Sequence, residues 1–223
     1  MYQALLTDPP WWYANRKTGG ERKNKTKFGG GASKHYPLIK DPVMREIHEG
    51  FGETLADEAV VFMWATMPRL DFAIECMGLM GVTYKTVSHV WIKTKKNGEP
   101  IYGPGYYTAS NAELVLLGTK GKGHQPHVKM LPSVIMAPRG EHSEKPKIHA
   151  DINRMYPEYV RGELFARSRY PEGDWDFWGN QCDQRVRDPE LEKYLNKIGE
   201  YVEYKRRIDN ERKRKLRAKR QSA

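Results

Sequence analysis

Short apolar runs recur along the chain, each bounded by charged or turn-forming residues. Ala4 to Thr7 reads as a buried strand. "AVVFMWAT" at 59–66 is apolar almost throughout, as in a parallel strand covered on both faces. "KTVSHVWIKTK" and "AELVLLGTK" read as two further strands, "SVIMAP" at 133–138 as another and "GELFAR" at 162–167 as a buried one. "DWDFWGNQ" at 174–181 closes the compact part. Helical spacing predicts three intervening helices. The first runs from Asp41 to Leu55, with Asp41 as N-cap and Pro42 at the first helical position. The second runs from Pro68 to Met80 and stops near Gly81, and the third covers Lys145 to Tyr156. Strands alternating with helices imply an α/β sheet with helices on both faces.

Two stretches break the pattern. Residues 14–35, "ANRKTGGERKNKTKFGGGASKH", are Gly-rich and basic, too long for a mere connector, and read as a mobile surface loop. Residues 96–111 form a Gly/Pro/Tyr loop. From Pro189 the character changes again. Leu191, Leu195, Ile198 and Val202 keep helical spacing, and then apolar residues almost cease. Residues 190–223 hold twelve Lys/Arg against six Asp/Glu, net +6. The first half is expected to dock as a helix, the second to be a solvated basic helix or a frayed tail. The chain is thus expected to divide into a domain over 1–188 and a basic helical tail over 189–223.

Composition sharpens this. A chain of 223 residues suits one domain, or one with an appendage, and a net charge of +10 points to a polyanionic partner. Cys76 and Cys182 lack metal-ligand spacing, which disfavours zinc and disulfide readings, and no metal is expected. No run approaches bilayer length and no signal peptide precedes the first strand, so the expected location is the cytoplasm.

The candidate chemistry sits in "DPPWWY", Asp8 to Tyr13, directly after the first strand. Ligands of open α/β sheets gather beyond the carboxyl ends of strands. Two prolines fix φ and remove two N–H donors. What remains is acceptors, the Asp8 carboxylate and the Asp8 and Pro9 carbonyls, beside the face of Trp11. That suits a planar ligand bearing an amino group, such as a nucleobase. Acceptors gripping an exocyclic NH2 favour a pyramidal nitrogen and strengthen as it gains positive charge. A strand-ending Asp followed by a plain Pro turn is the alternative.

The wider set of motifs resembles the N6-adenine methyltransferase family named after the seventy-kilodalton subunit of the mRNA adenosine methyltransferase. It comprises "DPPWWY", "HYP" at 35–37, "FMWAT" at 62–66, "VWIKTKKNG" at 90–98, "NAELVLLGTKG" at 111–121, "HSEKP" at 142–146, "ELFAR" at 163–167 and "WDFWGNQ" at 175–181. The resemblance covers about residues 4–183. It implies a Rossmann-like, S-adenosylmethionine-dependent methyltransferase fold with permuted motif order, the catalytic Asp-Pro-Pro-Trp first and the cofactor strand, here "GELFAR", late.

Roles follow from the resemblance. Asp8, Pro9, Pro10 and Trp11 would form the catalytic corner, with Trp11 stacking on the base. Asp8 would also approach the cofactor's ammonium, and Lys145 its carboxylate. Arg167, Asn180 and Gln181, with Glu163 beside them, would hold the adenosine half. Tyr36 and Glu113 would line the substrate pocket, and Arg16 and Lys17 would meet phosphates. Each has a structural alternative: Lys145 a surface lysine at a helix start, Asn180 and Gln181 turn residues, Arg167 an ion-pair member, Tyr36 loop packing, Glu113 a sheet-edge charge. His89 and His142 are expected to be structural, and Trp64 and Trp91 to pack the core. Longer relatives have a segment ahead of the first strand that helps hold the cofactor adenine. Here that strand begins at residue 4, which leaves adenine contacts unassigned. A small, basic, stand-alone member resembles the bacterial and phage enzymes that methylate DNA, either single-stranded or with the base flipped out. The oligomeric partner stays open. An RNA adenine methyltransferase, an inactive nucleic-acid-binding relative and a small-molecule methyltransferase are the rivals.

Overall fold

The computed structural model describes residues 1–13, 38–103, 107–138, 145–167, 170, 172–180 and 182–221. Among these residues seven strands form one sheet: β1 (Tyr2–Thr7), β2 (Leu55–Thr66), β3 (Thr83–Thr94), β4 (Ala112–Lys120), β5 (Val134–Pro138), β6 (Arg161–Leu164) and β7 (Trp175–Trp178). Their spatial order is β5-β3-β4-β2-β1-β6-β7. β1 pairs in parallel with β2 and β6, β6 with β7, and β3 with β5, while β4 is antiparallel to both neighbours. The late strand β6 therefore lies beside the first strand, the order that a permuted Rossmann-like methyltransferase fold requires. Connections leave β1 and β6 toward opposite flanks, so a crevice opens where those two strands end.

Among the described residues four helices cover the sheet: α1 (Asp41–Gly52), α2 (Leu70–Leu79), α3 (His149–Met155) and α4 (Pro189–Gln221). The apolar run of β2 supplies both faces by simple alternation. Val61, Met63 and Ala65 join Met44, Ile47, Phe51, Phe72 and Leu195 in one core, on the side of α1, α2 and α4. Val60, Phe62 and Trp64 join Ile148, Ile152 and Tyr156 in the other, on the side of α3. Trp91, at 0% exposure, packs in the second core. Among the described residues no helix is long and apolar enough to cross a membrane.

Several sequence expectations need correction. Asp41 lies in the first turn of α1 and Lys40 is the N-cap, without a side-chain cap bond. The helix stops at Gly52, because Leu55 already begins β2. The second helix opens as a 3₁₀ turn over Met67–Arg69 before α2 proper. Lys145 does not start a helix. Pro146 disfavours helical backbone at the residue before it, and α3 begins at His149. The strand expected over 162–167 ends at Leu164, where Phe165 turns to φ 62°. The loop at 14–35 lies outside the described residues.

Candidate active site

β1 delivers Asp8 to the crevice, and its backbone N–H still donates to the Leu164 carbonyl of the neighbouring strand at 3.3 Å. The two prolines then form a tight corner. The Trp11 N–H donates to the Pro9 carbonyl at 2.9 Å, and the Ile39 N–H to the Pro10 carbonyl at 3.1 Å. One lone pair of the Pro9 carbonyl is therefore already engaged, leaving one for a ligand. Trp11 braces the corner. Its indole N–H donates to the Trp64 carbonyl at 3.1 Å. Its ring stacks on His48 at 6.2 Å and meets Phe72 edge-on at 5.9 Å. At 3% exposure it is largely buried, and it lines the same cavity as Asp8, Pro9 and Pro10.

A cluster of opposite charges surrounds the corner. The Lys145 ammonium contacts the Asp8 carboxylate directly and lies 3.3 Å from Glu113 Oε2. It also sits over the Trp64 ring, 5.1 Å from its centroid. Glu113 is not on a sheet edge: it is the second residue of β4, which runs between β2 and β3, it pairs with Thr66, and it is buried. Its second partner is Lys93 Nζ at 2.5 Å. The two carboxylates are driven apart in acidity. Burial raises the Asp8 pKa by more than Lys145 lowers it. For Glu113, burial also raises the pKa, but the ammonium groups of Lys145 and Lys93 outweigh it and the net shift is downward. Unlike environments around neighbouring carboxylates are a mark of a working site. Asp8 is the more basic, hence the better acceptor for an N–H that becomes acidic as its nitrogen reacts.

The cofactor side is built by β6 and β7. After Leu164 the chain turns through Phe165 in the left-handed region, a sparsely populated state for an aromatic residue. The Ala166 N–H then donates to the Trp178 carbonyl at 3.0 Å. This approach demands Gly179, since a Cβ there would lie 2.2 Å from the Ala166 oxygen. The turn places Arg167, Gly179 and Asn180 on the wall of a cavity of about 360 Å³ that also reaches Asp8, Pro9, Glu113 and Lys145. Glu163 lies one layer away, accepting from or paired with His149 Nε2 at 2.8 Å in a smaller adjoining recess. Arg16, Lys17, Tyr36, His142 and Gln181 lie outside the described residues. His89 is buried and 3.4 Å from Asp151, away from the cavity.

Sequence inspection missed four contributors. Lys93 lay within a quoted motif but was given no task. Tyr13 and Thr66 share a 2.6 Å hydrogen bond at the cavity rim. The fourth is α4, whose Asn196, Gly199, Val202, Glu203 and Arg206 also line the cavity. Its apolar stripe signalled docking but not what it docks against.

Comparison with known proteins agrees with this layout. A family model described as MT-A70 matches residues 2–181. The chain is similar to the Type II methyltransferase M.MunI of Mycoplasma sp, 33% identical over 199 residues covering 84% of this chain and 81% of that protein. It is also similar to the N(6)-adenosine-methyltransferase MT-A70-like protein of Drosophila melanogaster, at 31% identity over 70% of this chain. The N(6)-adenosine-methyltransferase catalytic subunit METTL3 of Homo sapiens is 29% identical over the same share. The chain spans about a quarter of those two proteins, 26% and 27% of their lengths.

Proposed function

The chain belongs to the MT-A70 family, and from that premise we propose that it methylates the exocyclic N6 amine of adenine in DNA, with S-adenosylmethionine as donor. The observation that carries this reading is one continuous cavity joining the Asp8-Pro9-Pro10 corner to Lys145, Arg167 and Asn180. Its volume, about 360 Å³, falls in the range of small-molecule pockets. The chemistry of its lining fits the donor. Lys145 suits a carboxylate, and Arg167 and the Asn180 side chain suit the adenosine half. When bound, that donor supplies a methyl group on a positively charged sulfur.

The chain's own residues do the rest. The Asp8 carboxylate and the remaining lone pair of the Pro9 carbonyl accept the two hydrogens of the amine and turn its lone pair out of the ring plane. Positive charge growing on the nitrogen strengthens both contacts, so they stabilise the transition state more than the ground state. For Asp8 to serve, Lys145 must let go of it. Glu113, held ionised between Lys93 and Lys145, keeps the ammonium in place when that contact breaks. Pro9 and Pro10 limit the backbone freedom that would blur the corner.

DNA is favoured by the near end-to-end likeness to a Type II methyltransferase. The likeness to N(6)-adenosine-methyltransferases supports RNA as the second reading, over a shorter stretch. The test is transfer of labelled methyl groups to DNA and RNA oligonucleotides of matched sequence, followed by nucleoside analysis. N6-methyladenine is expected in the DNA. Label confined to RNA, or appearing in neither polymer, overturns the assignment.

A further inference from the structure

The matched family region ends at residue 181, yet the cavity wall does not. Residues 196, 199, 203 and 206 of α4 recur at spacings of three and four, which sets them on one helical face. That face lines the cavity, while Leu191 and Leu195 on the adjoining stripe anchor the helix in the core. Tyr194 reinforces the anchor by donating to the Gly50 carbonyl at 3.0 Å. Tyr194 lies by Gly50 and Asp209 by Lys40, 2.5 Å away, so α4 runs antiparallel to α1.

Gly199 lets α4 pack closely on this wall: a Cβ there would lie 3.3 Å from Trp178 Cζ2. That atom is two bonds from Trp178 Nε1, a buried indole nitrogen with no hydrogen-bond partner among the described residues. A buried donor left unpaired is costly and usually marks a missing ligand or water. Trp178 itself is 6% exposed and lines the cavity. The exposed side-chain amides of Asn180 and Asn196 line the same cavity. Two amides therefore border one cleft, beside a helix carboxylate, Glu203. Amides pair with the donor and acceptor edge of a purine, and a carboxylate accepts from ribose hydroxyls.

We propose that α4 is the second wall of the cofactor pocket, and that Asn196 holds the adenosine end of the cofactor from the side opposite Asn180. The inference rests on the methyltransferase reading and adds a binding element from outside the matched family region. Gly199 lets α4 approach the Trp178 ring that lines this pocket.

The test is calorimetric binding of S-adenosylhomocysteine, and of adenosine alone, to the full-length chain. Asn196→Ala should weaken S-adenosylhomocysteine by about 5- to 20-fold, and adenosine by the same factor, because one or two hydrogen bonds to the shared half are lost. The melting temperature should hold or rise, since Ala is the better helix former at an exposed position. Unchanged affinity in Asn196→Ala overturns the proposal while leaving the methyltransferase reading intact. A wild-type chain that binds neither probe overturns both.

Discussion

Two ends of the same sheet each bury a carboxylate beside a cation, and they treat it in opposite ways. Where β1 begins, Asp176 is 2% exposed and accepts from Arg187 Nε at 2.7 Å and from the Arg187 backbone N–H at 3.3 Å. The Tyr2 hydroxyl also bonds it, and burial beside this anion pushes the Tyr2 pKa far up. Asp174 takes the other side of Arg187 and pairs with Arg185 at 3.1 Å. Each group has a settled partner. Where β1 ends, Asp8 and Glu113 share Lys145, burial raises the pKa of Asp8, and a cavity opens beside them. The first arrangement stabilises the fold. The second holds a carboxylate in a state that the fold itself disfavours, which is what a site must do when its group has to exchange partners.

Substitution at the two ends should split activity from stability. Asp8→Asn keeps shape and removes charge. It should lower kcat/KM by about 10³-fold, on the scale of losing a preorganised catalytic contact. The sign of its stability effect is opposite to that of an ordinary salt-bridge loss. A carboxyl whose folded pKa is raised stabilises the fold below its unfolded pKa, and that contribution is lost as pH rises through the folded value. At pH 7 the ionised Asp8 therefore costs stability, and Asp8→Asn should leave the melting temperature equal or higher. A clear fall would make the Asp8–Lys145 pair structural and remove the contrast. For the same reason the acid limb of the kcat/KM profile should lie above the usual aspartate range.

Asp176→Ala should do the reverse. It strands the buried Tyr2 hydroxyl, though Arg187, about a third exposed at 35%, regains water. The expected loss is about 3 kcal/mol of folding free energy. Turnover per folded molecule should stay within a factor of about two. Urea unfolding beside active-site titration separates the quantities. A large drop in turnover without destabilisation would mean that this end also serves the reaction.

His48 ties the contrast to pH. It is fully buried beneath Trp11, donates through Nδ1 to the Met44 carbonyl at 2.8 Å, and leaves Nε2 without a partner among the described residues. Burial lowers its pKa to about 4. Below the unfolded value near 6.5 the unfolded chain takes up a proton that the folded chain refuses, so stability falls as pH drops from about 6.5 toward 4. Between pH 7 and pH 5 this group should remove about 2 kcal/mol. His48→Phe should flatten that part of the stability curve. An unchanged slope would assign acid sensitivity to other groups.

How much of this was legible in the residues themselves depends on range. β2 and β4 were clear because their apolar runs are long, and the Asp-Pro-Pro corner was clear because its chemistry is contained in three adjacent residues. The β6 boundary was missed because Phe165 departs from the strand through its dihedral angle, which no side-chain pattern encodes. The surroundings of Trp11 were unreadable because α1 and α2 bring His48 and Phe72 onto its ring from more than thirty residues away. Asn196 was unreadable for a related reason. A polar residue on an amphipathic helix looks solvated until the fold shows that its face borders a cleft.

The smallest predicted effect separates the two halves of α4. Residues through Arg206 border the cavity, whereas those beyond carry most of the tail's charge: residues 207–223 hold eight Lys/Arg and two Asp/Glu. Removing 207–223 spares Asn196, Gly199 and the buried Leu191 and Leu195, and breaks the ion pair of Asp209 with Lys40, both at least partly exposed, which contributes little. Cofactor affinity should therefore stay unchanged. DNA affinity should fall by about 5- to 10-fold at low salt, with a shallower dependence of log K on log salt, because fewer counterions are released. A loss of cofactor binding in this truncation would mean that the outer half of α4 holds the inner half in place. Equal DNA affinity at every salt concentration would assign the basic end to something other than the nucleic acid.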